Sequence, residues 1–284
     1  MGTVRKISIN DLPQYTPWVA RILGLEHFAR PVRDIAKIDA QYDKDIYAKL
    51  LAYHEKHPAA TPAEIRREEA VKDPHRQVCY SMKGELYVTS ADEVQRIRDR
   101  ALIDILAEPI SRAKVIVELG CGYGYNLAIL RDAYPNRIWI GGEYSNNGVQ
   151  LAEQLFADDQ SISVIPFNYY DPEWSIMEDI TEKALVITGF SLAELPQLAP
   201  VMPTFLKYKN KIDEVVHLEP VYELLDGSST LGLMRQAYTR LNNYNTDLLT
   251  ALNSIGAHVI AKQFDFIGTN PLCPMSLIRW KFTE

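Results

Sequence analysis

The spacing of apolar residues changes character about two-fifths of the way along the chain. In roughly the first 110 residues, apolar positions recur at helical spacing between Pro-bearing turns. Thr61-Pro62-Ala63-Glu64 supplies an N-cap, a proline at the first helical position and a capping-box acid. Ser90-Ala91-Asp92-Glu93 repeats the device and opens a helix over VQRIRDRALIDILAE. Between them, DPHRQVCYSMKGELYVT predicts a loop with a short hairpin at Lys83-Gly84. From about Ala113 the chain alternates short β-branched runs (KVIVEL, RIWIGGE, SISVIPF, ALVITGF, DEVVHLEP) with helical stretches (YNLAILRDAY, NNGVQLAEQLF, one after Asp171, and LAELPQLAPVMPTFLKY). Strand, helix, strand at these lengths predicts a parallel sheet covered on both faces. A long helix is expected over about 231–254, then two strands, GAHVIAKQFDFIG and PMSLIRWKF, joined by a Pro-bracketed loop and paired antiparallel. The expected fold is α/β: a doubly wound, mostly parallel seven-stranded sheet with an antiparallel last strand over residues 113–284, preceded by an N-terminal helical cap over 1–112.

Composition narrows the function classes. With 284 residues, 47% hydrophobic and 24% charged, the chain can bury a full core. Net charge is −7, from 37 acids against 30 dispersed bases, so no cationic face for nucleic acid is expected. No apolar run reaches the roughly 20 residues of a membrane helix. The N-terminus lacks a secretory pattern, and Met1-Gly2 is followed by Arg5 and Lys6 rather than a myristoylation signal. Cys79, Cys121 and Cys273 show neither disulfide nor metal spacing, and the six histidines form no ligand pattern, so no metal is expected. A cytoplasmic protein acting on a small molecule follows, with a homodimer left open.

The chemistry is concentrated in VIVELGCGYGYNLAIL. Gly120, Gly122 and Gly124 alternate directly after the first strand of the sheet, and the strand ends in Glu118. At that place a bare backbone can turn sharply and approach a ligand. A simple turn needs one glycine, and three plus an acid exceed it. The dinucleotide fingerprint G-x-G-x-x-G is broken at Tyr125, where its third glycine belongs. Diphosphates favour bare N–H groups at a helix start, whereas a carboxylate suits a ligand with an amino group.

VIVELGCGYG resembles the first motif of the class I S-adenosylmethionine-dependent methyltransferases, and the order of elements from about Lys114 onward is similar to that family's seven-stranded sheet. The resemblance does not extend to the first 110 residues, which in such families form a substrate-covering cap. It implies S-adenosylmethionine as cofactor, with Glu118, Gly120, Gly122 and Tyr125 around the methionine portion. It places Glu143, at the end of IWIGGE, on the ribose hydroxyls. Asn168 is favoured over Asp171 at the adenine, because Asp171 also suits an N-cap; Tyr169 flanks the ring, and Thr188 and Phe190 line the cofactor from below. The Asn/Asp-Pro-Pro-Tyr motif of DNA and glutamine methylation is absent, which argues against those substrates.

Candidates for the methyl-transfer chemistry are Glu194, Glu219, Glu223 and His217, at the carboxyl edge of the fourth and fifth strands of this sheet. Glu194 could equally close a capping box from Ser191, Glu223 could face water, and His217 could be a satisfied core histidine. Carboxylates without a matching base suit a cationic acceptor, so N-methylation of an amine or guanidinium is the leading expectation. The rivals are O-methylation of a sugar or natural-product hydroxyl, with Tyr80, Tyr87, Phe190 and Tyr222 lining the pocket, and a non-catalytic cofactor-binding protein.

Overall fold

A computed structural model describes residues 3–71 and 73–283; the Met1-Gly2 start considered above lies outside them. Among the described residues ten strands form two sheets: β1 (Arg5–Ile7), β2 (Gln77–Met82), β3 (Glu85–Ser90), β4 (Val115–Leu119), β5 (Ile138–Glu143), β6 (Ile162–Pro166), β7 (Ala184–Gly189), β8 (Ile212–Glu219), β9 (Ala257–Ile267) and β10 (Met275–Phe282). The large sheet has the order β6-β5-β4-β7-β8-β10-β9. β4 to β8 run parallel, and β10 lies antiparallel between β8 and β9. All seven strands of this sheet correspond to runs named from the sequence, and the Rossmann-like fold is the expected one. β4 is buried along its whole length, as a central strand with both faces covered must be.

One apolar layer, including Val117, Phe205 and Trp280, fills one face of the sheet. The other contains Ile116, Leu127 and Trp139. Leu102, Leu106 and Ile110, four residues apart on helix Ala91–Arg112, belong to that second layer. The helix before β4 is therefore bound into the sheet's own core.

The N-terminal part is less purely helical than the sequence suggested. The hairpin at Lys83-Gly84 is present, but β1 joins it in a three-stranded antiparallel sheet, β1-β3-β2. Three residues at the chain's start carry no strand periodicity, and only pairing with β3 makes them a strand. Ser81 bridges to Gly268, and the Asp265 carboxylate accepts from Ser81 Oγ (2.8 Å), Gly84 N (2.9 Å) and Arg235 Nη2 (2.9 Å). The Ser81 and Gly84 bonds fasten the small sheet to the large one, and the buried ion pair with Arg235, on helix Thr230–Leu241, holds the carboxylate in place. Residues Ala40–Tyr47 form a π-helical stretch between Ile35–Asp39 and Ala48–Lys56.

Two helix expectations need correction. The stretch 231–254 is two helices, Thr230–Leu241 and Leu248–Ser254, because Asn243 takes a left-handed backbone (φ 52°). Asparagine tolerates that conformation. The stretch 192–208 is helical only over Met202–Lys207, after a single tight turn at Leu192–Glu194. Prolines at 196, 200 and 203 lack the N–H groups that a continuous helix would need.

Candidate functional site

A cavity of about 390 Å3 opens at the carboxyl ends of the parallel strands, floored by the turn after β4 and roofed by the π-helical stretch. Gly120 and Gly122 stand in the left-handed region, at φ 72° and 59°. A Cβ on Gly120 would lie 2.4 Å from Ser191 Cβ, and one on Gly122 would lie 2.6 Å from the Tyr47 hydroxyl. Neither position can take a side chain, so bare backbone faces the cavity.

Glu118 is 2% exposed at the end of β4. Its Oε1 accepts from Asn126 Nδ2 at 2.6 Å, while its Oε2 is buried with no partner among the described residues. Burial pushes the carboxyl up to about 7, against the pull of Asn126 and Arg98. An unpaired buried carboxylate oxygen is costly to the free protein. Arg98, also buried, is tied to Asp99 Oδ1 (3.0 Å) and to Asn126 Oδ1. The fixed guanidinium of Arg98 therefore lines one end of the cavity, and the Glu118 carboxylate, with its vacant lone pair, lies one layer behind the lining, against Asn126 and Gly189. Their charges match the ammonium and carboxylate of an amino-acid head group, so the donor set fits the methionine portion of the cofactor implied by the glycine motif.

Glu143 ends β5 in the same cavity. Its two oxygens each accept one backbone N–H, from Gly122 and Ser145, both at 2.8 Å. Each oxygen keeps a lone pair for a ligand hydroxyl. Burial raises this carboxyl, and the backbone donors oppose the rise. Phe167, Asn168, Tyr169 and Tyr170 line the next section of the wall. Asn168 Oδ1 accepts from Tyr170 N (2.9 Å), leaving its amide N–H groups uncommitted by that bond, while Asp171 is exposed and accepts from Glu173 N (2.9 Å). Tyr169 hydrogen-bonds Leu119 O (2.7 Å), so it braces the floor as well as the wall. Tyr125 also lines the cavity, its hydroxyl on Asp99 at 2.6 Å.

The acceptor-side candidates separate sharply. Glu194 lines the cavity, accepts from Tyr42 Oη at 3.1 Å and is ion-paired with Arg33. No capping box forms with Ser191. Burial holds this carboxyl above its ordinary range, although Arg33 and Tyr42 favour the anion. Phe190 lines the same region from a left-handed backbone, φ 55°, unusual for a bulky residue and a sign of a local constraint. Glu219 is buried but lies outside the lining. Its carboxylate accepts from Ser191 N (3.0 Å), Leu192 N (3.1 Å) and Ala193 N (3.3 Å), fixing the loop that presents Glu194. Alternation along β8 put it on the correct edge but could not reveal that the loop turns back over it.

Six further candidates sit elsewhere. His217 is wholly buried between Thr188 Oγ1 (2.9 Å) and Trp280 Nε1 (2.9 Å), and desolvation lowers it to about 3, so it is a neutral core histidine. Thr188 is consumed by the same contact and does not line the cavity. Glu223 is exposed and accepts from Thr250 N at 3.0 Å, in the first turn of helix Leu248–Ser254. Tyr222 pairs with Arg240 at the surface. Tyr80 and Tyr87 stack on each other in the hairpin, ring centres 5.4 Å apart, away from the cavity.

Several lining residues carried no sequence signal: Arg98 within a helix of alternating arginines, and Tyr42 and Tyr47 in the roof. Only Asn126, adjoining the glycine motif, was findable by position. The roof is pinned by Asp43, which accepts from Ser145 Oγ (2.7 Å) and Asn147 N (2.8 Å).

No protein-family model and no curated protein sequence matches the chain. Among solved structures it is similar to the N-methyltransferase NodS from Bradyrhizobium japonicum WM9 in complex with S-adenosyl-L-homocysteine, at 14% identity over 67% of this chain and 88% of that one, with TM-score 0.47. It is similar to magnesium protoporphyrin IX methyltransferase (ChlM) from Synechocystis PCC 6803 at 10% identity, over 68% of this chain and 86% of that one, TM-score 0.48. Against the pyocyanin biosynthetic protein PhzM, identity is 13% over 64% of this chain, TM-score 0.49, and the match spans only 54% of that protein. No helix among the described residues is long and apolar enough to cross a membrane.

Proposed function

We propose that the chain is an S-adenosylmethionine-dependent methyltransferase that O-methylates a hydroxyl of a small acceptor. The observation that carries the cofactor is a buried carboxylate, Glu118, whose Oε2 lacks a partner among the described residues, set close to the fixed guanidinium of Arg98 and beside a turn that admits no side chain. Glu118 holds the ammonium, Arg98 the carboxylate, Glu143 the ribose hydroxyls and Asn168 the adenine amino group. When bound, the cofactor supplies a methyl group on a sulfonium, which departs as a neutral thioether once an acceptor lone pair takes the methyl.

The preference for a hydroxyl over a cationic nitrogen rests on the state of the acids. Glu219 and Glu223 are engaged by backbone N–H groups, and Glu194 is ion-paired with Arg33. The unmatched negative cluster that would attract a cation is therefore missing. Glu194 instead offers a carboxylate oriented by Tyr42 and made more basic by burial, which suits removal of a hydroxyl proton. The cavity sits near the lower end of the roughly 300–1,000 Å3 usual for small-ligand sites, which favours a small acceptor under the roof.

Calorimetry with S-adenosylhomocysteine and with NAD tests the cofactor; tight binding of NAD alone would refute it. Incubation with methyl-labelled cofactor and a pooled metabolite extract, followed by mass analysis of the product, tests the acceptor. Label on a nitrogen would overturn the hydroxyl assignment. With that acceptor, Glu194→Gln should leave S-adenosylhomocysteine affinity unchanged and lower kcat at least about a hundredfold, the usual worth of a general base.

A further inference from the structure

The cavity has two ends, set by the strand order. Glu143 and Asn168 follow β5 and β6 and mark one of them. Beyond β7 the lining comes from Phe190, Glu194 and Leu195, and from Met275 at the start of β10, the strand next to β8. The roof spans both ends. Asp43 is tied to Ser145 at the first (2.7 Å) and Tyr42 to Glu194 at the second (3.1 Å). Ile38, one helical turn before Tyr42, continues the lining of the second end.

Apart from Glu194, this second end offers a ligand little to hydrogen-bond. Ser191 Oγ is spent on Leu119 O (3.1 Å) and the Tyr169 hydroxyl (2.8 Å). Tyr170 lines the cavity while its hydroxyl is committed to the backbone of Gln197, at 2.9 and 3.2 Å. Tyr42 donates to Glu194, Asp39 lies 3.8 Å from Lys44, and Thr269 is exposed. Ile38, Phe190, Leu195 and Met275 contribute aliphatic, aromatic and thioether surface, which packs well on a flat ring. A polyol would give up its hydrogen bonds to water there and recover few.

Glu194 itself narrows the kind of hydroxyl. One oxygen accepts from Tyr42 and the other is paired with Arg33, so each keeps a lone pair for an incoming O–H. A carboxyl, ordinarily near 4.3, stands about six pH units below a phenol at about 10. It stands about eleven below an alkyl hydroxyl, taken to be near the ~15.7 of bulk water. Proton transfer to it is therefore about five orders of magnitude less unfavourable from a phenol. Burial raises the Glu194 carboxyl toward the phenol, the direction in which a general base gains effect.

We propose that the acceptor is a phenol, its ring held among Ile38, Phe190, Leu195 and Met275 and its hydroxyl at Glu194. The phenol oxygen takes the methyl carbon as the carbon–sulfur bond breaks. The electron pair of that bond stays on sulfur, and the hydroxyl proton passes to Glu194. The proposal deepens, and rests on, the O-methyltransferase function above.

Tyrosol, which carries one phenolic and one alkyl hydroxyl, tests it within a single molecule. Incubated with methyl-labelled cofactor and tyrosol, catechol, naphthol or myo-inositol, the protein should place label on phenolic oxygen alone. Label on the alkyl oxygen of tyrosol or on myo-inositol would overturn the proposal and leave an O-methyltransferase. No label on any of the three phenols, from protein that binds S-adenosylhomocysteine, would also overturn it. Failure to bind S-adenosylhomocysteine would instead remove the methyltransferase function, and this proposal with it. Saturation-transfer NMR in the presence of S-adenosylhomocysteine reads binding without turnover, and should show contact with at least one phenol and none with myo-inositol. Leu195 and Met275 are half-buried, so the double variant Leu195→Asn/Met275→Gln should fold. It should weaken that contact and raise KM for the phenol about tenfold or more, with S-adenosylhomocysteine affinity unchanged. Phenol contact and KM unaltered by the double variant would overturn the assigned seat.

Discussion

Replacing Glu118 by glutamine should stabilise the ligand-free protein while weakening its hold on the cofactor. Glu118 is wholly buried, and its carboxyl stands at about 7 against an ordinary 4.5. Between those two values the folded protein holds a proton that the unfolded chain has lost. Stability therefore falls as pH rises through that window and levels off above about 7. At about 1.4 kcal/mol per pH unit the gap corresponds to roughly 3 kcal/mol of destabilisation at pH 8, good to its order of magnitude. Glutamine keeps the acceptor for Asn126 Nδ2 and carries no charge to desolvate, but its amide N–H groups inherit the place of the unpaired Oε2, at about 1–3 kcal/mol. The net gain at pH 8 should be up to about 2 kcal/mol, shrinking to nothing or reversing near pH 4.5. Urea unfolding of both proteins across pH 4.5 to 8 reads this directly, because the difference between them cancels every other titrating group. In parallel, S-adenosylhomocysteine affinity at pH 8 should fall about 10- to 100-fold in the variant, the worth of one charge-assisted hydrogen bond. The wild-type Kd should rise about tenfold per pH unit below 7, as the carboxyl must then give up its proton to receive an ammonium. A stability difference independent of pH, or undiminished affinity in the glutamine variant, would refute the assignment of Glu118.

Other residues give sharper contrasts. Gly122→Ala forces a Cβ to 2.6 Å from the Tyr47 hydroxyl at φ 59°, and should cost about 1–2 kcal/mol in backbone strain alone while abolishing cofactor binding, as read by urea midpoint and calorimetry. Glu219→Ala strands the N–H groups of Ser191, Leu192 and Ala193. It should lower stability by several kcal/mol in urea unfolding and raise amide exchange across 190–195, the mark of an anchor rather than a base. Arg98→Met should weaken S-adenosylhomocysteine at least about tenfold but leave adenosine, which lacks the carboxylate, bound as before.

The sequence alone determined the sheet and the glycine-turn end of the cavity. Its strands are β-branched runs whose periodicity is local, and VIVELGCGYG places an acid and bare backbone at the tip of a strand whatever happens elsewhere. That Gly120, Gly122, Glu143 and Asn168 share one cavity was therefore legible, since each lies within a few residues of a strand end, while Glu118 stands just behind that lining. Tertiary structure decided the remainder. Whether Glu219 faces a substrate or a returning loop, and whether His217 is a base or a wedge between Thr188 and Trp280, depends on chain segments far apart in sequence. Arg33 and Tyr42 reach Glu194 from more than 150 positions away, so its partners could not be read from its neighbours in sequence. Local sequence can place a carboxylate at the right edge of a sheet. Only the folded chain decides what desolvates it and what neutralises it, because burial and long-range pairing are properties of contacts and not of neighbours along the chain.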